Sequence, residues 1–368
     1  MQSLDNNTQA FLTLVRAGLW EHEVKLSQFG DIDFNDVYRL AEEQSVVGLV
    51  AAGIEHILDV KIPQNIALQF VGRALQIEQR NLEMDSFVVK LYDYLREGNV
   101  FGLLVKGQGV AQFYERPLWR ASGDVDLILD PENYSKAKKK LLPLSERVDP
   151  EENAKMDQAL TIDGFIVELH GKMPFAMSKK VDKVIESVLD NSLRSGGVCV
   201  WRLNEKEVFL PNPDNHLFLV FTHFVHHFFI EGVGLRQICD WCRLMWKYRD
   251  SIDQKLLESR IIKAGLMTEW RVFAELAVKY LGMPEKYVLF YKDGYLIRAK
   301  KVLSNVIKRG NFGHNNDLSY RAGKSVCLIN MITLRRRFAD FCKYTMIFPL
   351  DSPRFFGVYV VNKICHRG

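Results

Sequence analysis

The chain has 368 residues, 48% of them hydrophobic and 26% charged, with a formal net charge of +4. That composition fits a globular protein with a large core, expected to fold as two or three lobes, and it contains no internal repeat, low-complexity linker or coiled-coil heptad run. The polar first ten residues predict no signal peptide, no apolar stretch reaches transmembrane length, and six cysteines without a secretory signal predict reduced thiols in a cytoplasmic protein.

The charge is unevenly spread. Residues 298–368 carry 14 Lys and Arg against 3 Asp and Glu, and the remainder carries 35 against 42. Such a basic C-terminal segment fits an anionic partner, whether nucleic acid, a peripheral membrane surface or a phosphorylated substrate. A solvated, mildly self-repelling face is the alternative.

The first hundred residues read as helical. Residues 7–22 carry Phe11, Leu12, Leu14, Val15 and Leu19 near helical spacing, and residues 36–57 continue the pattern into a small-residue stretch suited to tight helix packing. Pro63 stands where the next helix begins, and residues 64–97 read as one long helix carrying Leu68, Val71, Leu75, Ile77, Leu82, Phe87, Val88, Leu91 and Leu95. Residues 101–105 are a short apolar strand broken by Lys106-Gly107-Gln108-Gly109, with one or two helical turns over 110–114. A polar loop leads to a second strand, Asp124-Val125-Asp126-Leu127-Ile128-Leu129.

Side chains alternate along a strand, so Asp124 and Asp126 share a face. Two carboxylates on an otherwise apolar strand need positive charge between them. A hard divalent cation held by oxygens supplies it, and Mg²⁺ needs few protein carboxylates when a substrate phosphate completes its shell.

After Asp130-Pro131, residues 132–142 predict a helix that begins acidic and ends in Lys138-Lys139-Lys140, an order that suits the helix dipole. Residues 149–157 read as a loop. Asp163-Gly164 between two apolar runs is a hairpin signal, with Ile166, Glu168 and His170 on one face of the second arm. Residues 198–203 and 207–210 form a second predicted hairpin, and Asp214 is the expected N-cap of a buried helix over 215–230. In it His223, His226 and His227 fall at i, i+3 and i+4, without the glutamate of a zinc-protease motif, and are read as packing or substrate contacts. Cys239 and Cys242 read as buried helix residues, and Arg236 and Asp240, at i and i+4, as a mutual ion pair.

Leu104-Val105-Lys106-Gly107, Arg120, Gly123-Asp124-Val125-Asp126 and Glu168-Leu169-His170 together resemble the uncharacterised nucleotidyltransferases of the polymerase-beta-like superfamily, over roughly residues 36–246. Gln108 stands where that superfamily usually has Gly or Ser. The resemblance implies an α+β fold, a small mixed sheet with flanking helices between N- and C-terminal helical lobes. It divides the chain into 1–97, a nucleotidyltransferase core at 98–212, a helical lobe at 213–310 and a basic aromatic-rich segment at 311–368.

It also implies a chemistry. Asp124, Asp126 and Glu168 would be the catalytic carboxylates and the ligands of Mg²⁺ or Mn²⁺, with Glu168 helping to deprotonate the acceptor. Lys106, Gly107, Gln108, Gly109, Arg120 and Gly123 would bind the nucleotide, ATP being the expected NTP. His170, His223, Arg236 and Asp240 would line the pocket. The expected reaction moves a nucleoside monophosphate onto a small molecule, protein or nucleic acid. A catalytically silent nucleotide- or partner-binding module and a metal-dependent glycosyltransferase using Asp-x-Asp are the alternatives.

Overall fold

A computed structural model describes residues 4–152, 156–173, 177–194, 196–316 and 325–365. The fold is mixed α+β. It opens with α1 (Asn6–Trp20), α2 (Phe34–Glu43), α3 (Val47–Ile54) and α4 (Gln64–Glu97). The run predicted as one segment over 36–57 is two helices, because Ser45 takes a positive φ of 56° between them. There the buried Gln44 ties the two ends of the chain together: its Nε2 donates to Val306 O at 3.1 Å and its Oε1 accepts from Leu235 N at 3.0 Å.

The small residues bring α1 and α3 into backbone contact. A Cβ built on Gly18 would lie 1.9 Å from Leu49 O, and one on Gly53 would lie 2.1 Å from Leu14 O. Gly53→Ala therefore forces the two helices apart. Denaturant unfolding is expected to show a loss of about 1–3 kcal/mol, the usual penalty for overpacking.

Next come β1 (Leu103–Leu104), α5 (Gln108–Ala111), β2 (Asp124–Ile128), α6 (Pro131–Leu141), β3 (Arg147–Val148), β4 (Asp157–Ile162) and β5 (Phe165–His170). The five strands form one sheet in the order β1-β2-β5-β4-β3, with β2 and β5 parallel and the other neighbours antiparallel. The β4–β5 hairpin turns at Asp163 and Gly164, both at positive φ, as a tight two-residue turn requires. β1 is shorter than the apolar run 101–105 predicts. Of the predicted loop 149–157, residues 153–155 lie outside the described residues.

One face of the sheet, with Val125, Leu127, Leu160, Phe165, Val167 and Leu169, packs on the second half of α4 and on α6. The first half of α4 belongs to a second core, where Ile66, Phe70 and Ala74 meet helices from both ends of the chain. Leu68, Val71, Leu75 and Leu82, apolar in the predicted helix, face solvent instead, because α4 buries only the side that meets these cores.

The chain continues through α7 (Lys179–Arg194), a separate hairpin of β6 (Val198–Leu203) and β7 (Lys206–Pro211), then α8 (Pro213–Ile230), α9 (Leu235–Tyr248), α10 (Gln254–Ala264), α11 (Met267–Leu281), α12 (Leu296–Arg309), α13 (Val326–Thr345) and α14 (Asp351–Cys365). Asn212, not Asp214, caps α8: Pro213 takes the first helical position and the Asn212 side chain accepts from Asn215 N at 3.0 Å. Arg321, Lys324 and Arg367 of the basic segment lie outside the described residues. Among the described residues no helix is long and apolar enough to cross a membrane.

Candidate active site

The parallel pairing of β2 with β5 sets Asp124 opposite Ile166, Asp126 opposite Glu168 and Ile128 opposite His170. The face turned away from α4 therefore carries Asp124, Asp126, Glu168 and His170 together. Asp126 is fully buried and its Oδ1 pairs with Lys106 Nζ at 2.6 Å. Lys106 reaches it from the end of β1, whose continuation is pinned by a bond from Val105 N to Asp126 O and by His216 Nε2 donating to Val105 O at 2.5 Å.

His170 gathers three carboxylates. Its Nε2 lies 3.1 Å from Asp126 Oδ1 and 3.4 Å from Glu168 Oε2, and its Nδ1 lies 3.3 Å from Asp157 Oδ1. Burial alone would depress the His170 imidazolium, but these hydrogen-bonded carboxylates outweigh it and raise its pKa well above the usual value. Burial likewise works against the Asp126 carboxylate, and Lys106 and His170 reverse that and hold it far below the usual range. At Glu168 the His170 hydrogen bond lowers the pKa, while burial and the neighbouring Asp126 and Asp124 carboxylates win and leave it raised.

The donor set suits a hard cation. A carboxylate oxygen of Asp126 and one of Glu168 lie within 4.8 Å of each other, with a His170 ring nitrogen within that distance of both; as an imidazolium His170 orients the carboxylates and does not ligate. Asp126 Oδ2 is buried without a hydrogen-bond partner, an orphaned anionic oxygen of the kind a cation satisfies.

Beside this face opens a cleft bordered by Lys106, Gly107, Asp124, His223, Arg236 and Phe312, among others. Gly107 turns the chain at φ 50°, ψ −122°, where a side chain would be strained and its Cβ would press to 3.0 Å from Asp124 O. Lys106 Nζ also donates to His223 Nε2 at 3.2 Å. Burial, and then the Lys106 charge, keep His223 neutral and able to accept.

Of the other residues singled out from the sequence, Arg120, Arg236 and Asp240 line the cleft wall, and Gln108, Gly109 and Gly123 are not part of it. Arg120 is buried and fully engaged: Nε and Nη2 donate to Asp240 at 3.0 and 2.6 Å, and Nη1 donates to Ser122 Oγ at 2.9 Å. Asp240 also accepts from Tyr114 OH at 2.7 Å. Asp240 thus pairs with Arg120, not with Arg236, whose Nη1 donates to Ala121 O at 2.7 Å; the i, i+4 spacing on α9 is overridden by a partner from the loop before β2. Gln108 is buried, donating to Asp85 Oδ1 and accepting from Ser122, both at 2.6 Å. Gly109 faces the core, where a Cβ would meet Leu210 at 2.9 Å, while a Cβ on Gly123 would meet nothing. His227 stacks edge-on against His223 and Phe312, and Cys239 and Cys242 are buried thiols.

Two contributors were not singled out in the sequence. Asp157 could have been found from the two-residue Asp163-Gly164 turn, whose register runs on to pair Asp157 with His170. Tyr114 carried no signal of its own.

Three carboxylates, a lysine and an imidazolium on one sheet face, beside a cleft lined with guanidinium, form a site chemically suited to a phosphate ester and its counter-cation. The chain belongs to a family of uncharacterised nucleotidyltransferases, whose model matches residues 30–282. That span holds the whole sheet and every cleft residue named above except Phe312, and it runs beyond the 36–246 over which the sequence resemblance extends. No curated protein and no solved structure gives a match.

Proposed function

We propose that the protein is a metal-dependent nucleotidyltransferase on a polymerase-beta-like core, moving a nucleoside monophosphate from ATP or another NTP to an acceptor. The observation that carries this reading is the register of Asp126 beside Glu168, with Asp124 two residues away on the same face. Asp124, Asp126 and Glu168 would hold Mg²⁺ or Mn²⁺, which supplies charge neutralisation at the phosphates.

The chain's own groups have separate tasks. His170 clamps Asp126 and Glu168 in one orientation. Glu168 takes the proton of the acceptor oxygen as that oxygen bonds to the α-phosphorus. The bond from the α-phosphorus to the bridging oxygen breaks, and pyrophosphate leaves. Lys106 offers an ammonium at the cleft, and Gly107 and Gly123 leave room beside it. Arg120 and Asp240 in the cleft wall, with Gln108 and Gly109 behind it, act as positioning residues.

The basic C-terminal segment supports an anionic acceptor. Phe312 borders both the cleft and a groove whose lining holds Lys308, Arg309, Arg336, Arg337 and Lys343 against Glu231 and Asp340. Lys308→Glu with Lys343→Glu is expected to raise the KM for the acceptor and leave that for NTP unchanged, more so at low salt. Unchanged acceptor kinetics at low salt would remove the groove from the account.

The reaction is tested with α-labelled and γ-labelled NTPs, Mg²⁺ or Mn²⁺, and cell extract as acceptor source. The expected result is that α label joins the acceptor, γ label leaves as pyrophosphate, and a chelator stops both. The buried Gln108, which closes the turn after Gly107, favours a second reading as a silent nucleotide-binding module. NTP binding without transfer of α label would establish that one instead.

A further inference from the structure

We infer that Arg236 is an anion receptor on the inner wall of the cleft, built to take the terminal phosphates of a polyphosphate ligand. The identification of that ligand as a nucleotide rests on the function proposed above; the anion site does not.

Arg236 and Arg120 share the wall of one cleft with Asp240. Asp240 is the only carboxylate paired with either guanidinium among the described residues, and it is spent on Arg120 through two hydrogen bonds. Arg236 keeps one protein acceptor, the Ala121 carbonyl, while its Nε is buried without a partner. Burial, and then the neighbouring Arg120 charge, push its pKa below the usual arginine value. A guanidinium with a buried, unpartnered Nε and a like charge beside it is unfavourable until an anion arrives.

The backbone does not serve instead. At the start of α9 the N–H groups of Gly234, Leu235 and Arg236 are taken by Gln237 and Gln44. Recognition falls on the side chain, whose planar fork matches two oxygens of a phosphate. Asp124 and Lys106 border the same cleft, so a phosphate chain running from Arg236 toward Lys106 would pass the carboxylate face.

The test uses the full chain in EDTA with inorganic pyrophosphate as the probe, and compares the parent with Arg236→Gln, Arg236→Lys and Asp124→Asn. Pyrophosphate is expected to raise the Tm of the parent. Arg236→Gln should unfold without anion at the parent temperature or above it, since a like-charge repulsion is gone, and should show no shift with pyrophosphate. By calorimetric titration its affinity should fall at least about tenfold, since hydrogen bonds to charged groups contribute roughly 1.5–3 kcal/mol. Arg236→Lys should recover part of that loss. Asp124→Asn should keep or tighten the metal-free binding by removing a repelling charge.

Equal pyrophosphate shifts in the parent and Arg236→Gln, no shift in the parent, or a marked loss of stability in anion-free Arg236→Gln would each overturn the inference. The two proposals fail separately. Pyrophosphate binding through Arg236 without transfer of α label sinks only the enzymatic reading. Transfer by Arg236→Gln with the parent's KM for NTP sinks only this one.

Discussion

Asp126→Asn is expected to lower kcat for nucleotidyl transfer about a thousandfold or more. Asp126 is the fully buried member of the carboxylate set; its Oδ1 faces Lys106 and His170, and its Oδ2 has no hydrogen-bond partner. On the proposed reading, removing its charge takes a ligand from the site that neutralises the phosphates, a contribution of several kcal/mol, and about 4 kcal/mol corresponds to three decades in rate. The same substitution leaves the Lys106 and His170 charges without their shared counter-ion, so it should also lower stability. Steady-state transfer of α label, read beside thermal unfolding of the same samples, separates the two effects. If Asp126→Asn stays folded and transfers label at a rate within tenfold of the parent, the carboxylate is not part of the chemistry.

The second large effect concerns stability. Asp240→Ala is expected to destabilise the fold by about 3–5 kcal/mol, the usual consequence of leaving a buried charge without its partner. Arg120 would then keep only Ser122, and Tyr114 would lose its acceptor. The loop that carries Arg120 is held on its other side by Asn81, whose Nδ2 donates to the carbonyls of Leu118 and Arg120 at 2.7 and 2.8 Å, so the strain should fall on the start of β2. Arg120→Ala should cost a similar amount, and the double variant much less than the sum, because the second deletion removes a charge already orphaned. Denaturant unfolding of the four proteins measures this, and strictly additive losses would show that the two residues do not act as a pair.

Much of the frame was legible because strong local signals agreed. Pro63 and an apolar period gave α4 its ends, and Asp163-Gly164 marked the hairpin that carries Glu168. The shared face of Asp124 and Asp126 followed from strand alternation alone. What the sequence could not show was pairing between distant segments. Nothing local places β5 beside β2, and only the family resemblance brought Glu168 to the aspartates. The same blindness matched Arg236 with Asp240, its neighbour one helical turn away, when a buried arginine 120 residues earlier takes that carboxylate. It also treated Gln108 as part of a phosphate loop, whereas its amide braces Asp85 and Ser122. The apolar Leu68, Val71, Leu75 and Leu82 show the limit from the other side, since periodicity marks apolar positions without saying which of them a partner covers.

If Asp124, Asp126 and Glu168 form a metal centre for a nucleotide, Mn²⁺ binding followed by electron paramagnetic resonance reads it out most directly and without knowledge of the acceptor. The parent should bind Mn²⁺ far more tightly in the presence of an α,β-non-hydrolysable ATP analogue than alone, because the phosphates complete the shell. Asp124→Asn and Glu168→Gln should each lose that enhancement. Mn²⁺ bound equally well by the parent and both variants, with or without the nucleotide, would contradict the account.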